Sequence, residues 1–125
     1  MNPSTSSPLK EPRTALRPTA LEELPPALRE AAARAGWASL VPVQARGLPY
    51  LLAGRNMLIQ ARTGSGKTGV FLLPLLERLD PKRPNCQALI LVPTRELAKQ
   101  VWQEAEKLFG DSGLRSVAEI GRAHV

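Results

Sequence analysis

The run Ala61-Arg62-Thr63-Gly64-Ser65-Gly66-Lys67-Thr68 constrains this chain more than any other. It follows the short apolar run Met57-Leu58-Ile59 and opens a helical pattern from Lys67 to Leu79, so it reads as the turn of a strand-loop-helix unit. Gly64 and Gly66 can take backbone conformations closed to residues with a Cβ, which lets successive N–H groups turn inward around an anion. A helix beginning near Lys67 adds its own unsatisfied N–H groups, Lys67 reaches the terminal phosphates, and the Thr68 hydroxyl is a ligand for Mg²⁺. This is the P-loop pattern, with Ala61 where the first glycine usually stands. The implied ligand is a nucleoside triphosphate with Mg²⁺. The plainer alternative is a flexible Gly/Ser turn carrying a chance lysine.

At 125 residues the chain holds one domain rather than two, given about 100 to 200 residues per domain. Hydrophobic residues at 43% supply a core, which must come from the stretch beginning at Leu24. Residues 1–19 are rich in Pro, Ser and Thr, without a sustained period, and are expected to form a disordered tail. Pro25 and Pro26 suit the first turn of a helix on which Leu24, Leu28, Ala31, Ala32 and Ala35 recur, with Gly36 as its stop. Pro42 opens a second helix running to about Leu52, closed by Gly54. After the turn cluster Asp80–Asn85, Ala88-Leu89-Ile90-Leu91-Val92 reads as a strand buried on both faces. Pro93 ends it, and Thr94 caps a helix whose apolar face is Leu97, Val101, Ala105 and Leu108. Gly110 and Gly113 end that helix, and Arg115 to Ala118 starts a third strand. Such alternation predicts an α/β fold: a parallel sheet with flanking helices and ligands at the carboxyl ends of the strands. Those ends are the loops Gln60–Gly66 and Val92–Arg95.

A net charge of +6 favours phosphate-bearing partners. Cys86 is the sole cysteine and His124 the sole histidine, which excludes an internal disulfide and a Cys/His zinc cluster. Cys86 is expected as a small buried hydrophobe. No apolar run approaches the ~18 residues of a membrane span. Neither a membrane association nor a secretory signal is expected, and the default location is cytoplasmic.

Three segments together resemble the DEAD-box ATP-dependent RNA helicases. Ala61 to Thr68 matches that family's form of the P-loop. Pro93-Thr94-Arg95-Glu96-Leu97-Ala98-Lys99-Gln100 is similar to the next family motif, which touches the backbone of single-stranded RNA. Gly36-Trp37 followed by Pro42-Val43-Gln44 resembles the adenine-reading Q motif. The resemblance spans Gly36 to Gln100 and implies a partial RecA-like P-loop domain, truncated, over residues 20–119. It also implies ATP and Mg²⁺ as ligands, single-stranded or duplex RNA as partner, and ATP hydrolysis coupled to unwinding in the full-length protein.

Each implied role has a physical basis and a plainer alternative. The Gln44 amide can satisfy the N6 donor and N7 acceptor of adenine together; otherwise it is a polar residue in a helix's first turn. Trp37 is a candidate wall of the nucleotide site or a core anchor. Thr94 and Arg95, with Pro93 before them, can hold a backbone phosphate, or serve as an ordinary cap and a solvated face. Two positions depart from the family: Leu40-Val41 replaces Pro-Thr ahead of Pro42, and Thr19 stands where an aromatic ring would stack on adenine.

The acidic motif that gives the family its name does not occur in these residues, and the aspartates Asp80 and Asp111 sit in turns. The fragment by itself is therefore expected to be inactive. The competing functions are a non-catalytic nucleotide- or nucleic-acid-binding module, or another P-loop NTPase such as a DNA translocase. Residues 120–125, Ile-Gly-Arg-Ala-His-Val, resemble one reading frame of a sequencing-library adapter, and are expected to be a read-through scar.

Overall fold

The computed structural model describes residues 15–62, 64 and 66–119. Thr63, Ser65, most of the expected tail and the expected scar lie outside the described residues.

Helix α1 (Pro26–Arg34) and helix α2 (Pro42–Leu52) begin where proline fixes φ without losing a needed N–H. Gly36 and Gly54 follow them with φ of 85° and 84°. Leu24, Leu28, Ala31 and Ala32 are buried, as the spacing requires. α2 carries Pro49 inside it, which leaves the Ala45 carbonyl without its intrahelical donor. The Thr19 N–H supplies the missing bond at 2.9 Å. One turn on, the Leu16 N–H donates to Tyr50 Oη at 2.9 Å. The described part of the expected tail is thus held along α2. Beyond this arm, a short 3-10 turn, Leu21–Glu23, leads into α1. The Ala20 N–H, and then Arg17, hold the Glu23 carboxyl below its usual range.

The helical stretch expected over Lys67 to Leu79 is split into α3 (Lys67–Leu72) and α4 (Leu75–Arg78). Pro74 causes the break: without an N–H it cannot continue the ladder, and the Leu76 N–H turns to Leu73 O instead. Helix α5 (Arg95–Phe109) starts at Thr94, whose Oγ1 accepts from the Leu97 N–H at 3.1 Å. Its apolar face is inward at Ala105, Leu108 and Phe109.

These helices share one core, built from Leu24, Leu28 and Ala31 below, Leu48 on α2, Leu72 and Leu73, and the buried residues of α5. α3 packs on both α2 and α5, while α1 packs on α5 and α4. Among the described residues no helix is long and apolar enough to cross a membrane.

The expected parallel sheet is not formed among the described residues. A strand exists through a neighbour's N–H and C=O groups, and no backbone bond links 57–60, 88–92 and 115–118 to one another. Leu58, Leu89 and Leu91 are 98%, 77% and 83% exposed, so the segment expected to be buried on both faces is open to solvent. The third segment is engaged by side chains of α5 instead: Trp102 Nε1 donates to Ser116 O, and Ser116 Oγ to Glu106 Oε2. Cys86 is also exposed rather than buried, because it directly follows the Asp80–Asn85 turn cluster, which lies wholly at the surface.

Candidate functional site

A cleft of about 550 Å³ opens where the residues before α2, the loop before α3 and the middle of α5 meet. It brings together five of the residues expected from sequence: Trp37, Gln44, Gly64, Gly66 and Thr68. Gly64 and Gly66 take φ of 82° and 95°, the left-handed region that glycine enters without steric cost. Space as well as conformation requires glycine at Gly66, since a Cβ there would stand 2.7 Å from Val41 Cγ2 and 3.0 Å from Gln44 Nε2.

Gln44 is 6% exposed and polar, so its amide must be satisfied. Its Oε1 accepts from the Val41 N–H at 3.0 Å, reaching back to the helix start as in half of a capping box. Its Nε2 donates to Gly66 O at 3.4 Å, tying the start of α2 to the glycine loop. An amide has two N–H donors and two acceptor lone pairs, so one of each remains for a ligand in the cleft. The plain first-turn role and the ligand role of Gln44 are therefore compatible.

The Lys67 side chain, half-buried between the lining residues Gly66 and Thr68, has no hydrogen bond or ion pair among the described residues. Ala61 is half-buried and Arg62 exposed, and neither lines the cleft. Pro93, Thr94 and Arg95 are exposed at the start of α5 and stand apart from the cleft wall. Thr94 does cap its helix, which leaves its hydroxyl hydrogen and the Arg95 guanidinium available to an anion.

Sequence reasoning missed two contributors. Gly69 lies under the Trp37 ring, where a Cβ would meet Cζ2 and Cη2 at 2.5 Å. A glycine inside a helical pattern costs ~1 kcal/mol against alanine and signals such a close approach. Glu104, one turn after Gln100, reaches the cleft from α5 and accepts from Trp37 Nε1 at 3.4 Å. Their spacing on a polar flank of α5 gave no sign of it.

A family model for the DEAD/DEAH box helicases matches residues 41–125. The chain belongs to that family. It is 42% identical over 94 residues to the DEAD-box ATP-dependent RNA helicase CshA of Bacillus licheniformis, covering 75% of this chain and 19% of that protein. To the ATP-dependent RNA helicase DbpA of Escherichia coli it is 48% identical over 88 residues, covering 70% of this chain and 19% of the relative. The chain thus spans about a fifth of the length of these relatives. Among solved structures, the RNA helicase Prp28 of Chaetomium thermophilum bound to ADP superposes with a TM-score of 0.72 at 33% identity. That match covers 98% of this chain and 30% of Prp28. A DEAD box protein of Methanococcus jannaschii gives 0.65 at 39% identity, over 71% of this chain and 24% of that one. These likenesses support the RecA-like fold expected from the sequence.

Proposed function

We propose that this chain is the nucleotide-binding part of an ATP-dependent RNA helicase, taking Mg·ATP in the cleft between α2, α3 and α5. One observation carries the reading: Gln44 is joined to Gly66, so a base-reading amide and a phosphate-turning loop share one wall. Lys67, whose side chain has no partner among the described residues, is the cation for the β- and γ-phosphates, with Gly64 and Gly66 turning N–H groups toward them and Ala61 to Thr68 as the loop. The Thr68 hydroxyl would hold Mg²⁺. Among the described residues no group of three or more Asp, Glu, His or Cys could hold a metal.

The start of α5, Pro93, Thr94 and Arg95, is the proposed contact for the backbone of single-stranded RNA. Exposed donors at a fifteen-residue helix's N-terminus suit phosphates without reading bases. In the longer protein the same reading couples ATP hydrolysis to strand separation, and pairs residues 57–60 and 88–92 as sheet strands. The exposure of Leu58, Leu89 and Leu91 supports that pairing, since both segments retain apolar side chains to bury.

Titration calorimetry with Mg·ATP tests the cradle. Lys67→Ala removes charge-assisted hydrogen bonds of roughly 1.5 to 3 kcal/mol, a loss of about 10- to 150-fold in affinity. Equal affinity of mutant and parent would sink the reading.

A further inference from the structure

Trp37 stands where three elements meet. Its ring lies against the α3 backbone at Gly69, close enough that a single methyl there would collide with Cζ2 and Cη2. Its Nε1 reaches α5 and donates to Glu104 Oε2 at 3.4 Å. Glu104 is half-buried and is the sole carboxylate among the residues lining the cleft, and its carboxylate has no other hydrogen bond or ion pair among the described residues.

An indole swings on two side-chain torsions, so packing on a glycine fixes its plane from one side only. A bond from its N–H to a rigid helix fixes the other. We propose that Glu104 is a positioning residue for nucleotide binding: its carboxylate holds the Trp37 indole on Gly69 and so keeps the wall beside Gln44 and Thr68 in shape. The proposal rests on the cleft being the nucleotide site. Electrostatics alone argues for the opposite effect, because a carboxylate facing a phosphate site repels its ligand and its removal should tighten binding. The amide variant separates the two accounts, since Glu104→Gln loses the charge but retains an acceptor oxygen for the indole.

The chain has two tryptophans, and Trp102 lies on the outer side of α5, bonded to Ser116 O. In a Trp102→Phe background, Trp37 emission therefore reports the contact directly, and calorimetry with Mg·ADP reports its consequence. Glu104→Ala is expected to red-shift the emission, raise acrylamide quenching and weaken Mg·ADP roughly fivefold, in keeping with one long hydrogen bond. Glu104→Gln is expected to stay within about twofold of the parent in affinity, with its emission unchanged. Tighter binding in both variants, or Trp37 emission unmoved in Glu104→Ala, overturns the positioning role. A parent that takes up no Mg·ADP overturns the nucleotide reading itself, and the emission comparison then decides the Glu104–Trp37 contact on its own.

Discussion

The helical core beside the cleft and the segments at 57–60 and 88–92 both carry apolar side chains, yet one is packed to contact and the other is largely open to solvent. Around the cleft, Gly66 and Gly69 leave no room for a Cβ and Leu48 and Leu72 are fully buried. Along the apolar segments, Leu58 and Leu89 are largely exposed. The helices close their own backbone hydrogen bonds and need only a face to bury. A strand closes none of its own, so its side chains find their places only once neighbouring strands supply the ladder.

Core truncation tests this contrast with the largest effect. Leu48→Ala, at a fully buried site on α2, is expected to cost about 2 to 5 kcal/mol in chemical denaturation, whereas Leu89→Ala should stay within about 0.5 kcal/mol. A comparable loss at Leu89 would mean that the strand segments are packed after all. Next in size, Gly69→Ala forces Trp37 off α3 and should destabilise the chain by about 1 to 3 kcal/mol, the usual cost of overpacking. An unchanged or raised midpoint, as helix propensity alone would give, removes the close contact from the account. The smallest effect belongs to the exposed start of α5. Arg95→Ala should weaken single strands of different sequence about equally and lower the salt slope by about 0.7. A loss confined to one base sequence contradicts a backbone contact.

The same division decides what could be read from the residues. Pro26, Pro42 and Thr94 mark helix starts by chemistry local to each, and Gly36 and Gly54 mark helix ends, so α1, α2 and the start of α5 were legible. Pro74 carries an equally local signal, a missing N–H that outweighs the apolar spacing running on to Leu79. Pro49 shows why that signal is ambiguous: α2 runs through it because Thr19, 26 positions ahead of Ala45, supplies the bond that proline vacates. Gly64, Gly66 and Gln44 were legible because their chemistry lies in one short spacing or one side chain. Glu104 was not, since its role depends on how α5 crosses Trp37. Neither was the solvent exposure of Leu58 and Leu91, which depends on strand partners that no segment encodes by itself.

Mapping Mg·ADP onto the backbone amides by nitrogen–proton correlation spectra tests the central claim most directly. If the cleft is the nucleotide site, the largest shifts on titration fall on Gly64, Gly66, Lys67 and Thr68 and on the Gln44 side-chain amide, while Leu89, Leu91 and Val117 stay in place. Saturation with no movement from Gly64 to Thr68, or with shifts confined to residues 88–92, would contradict the account.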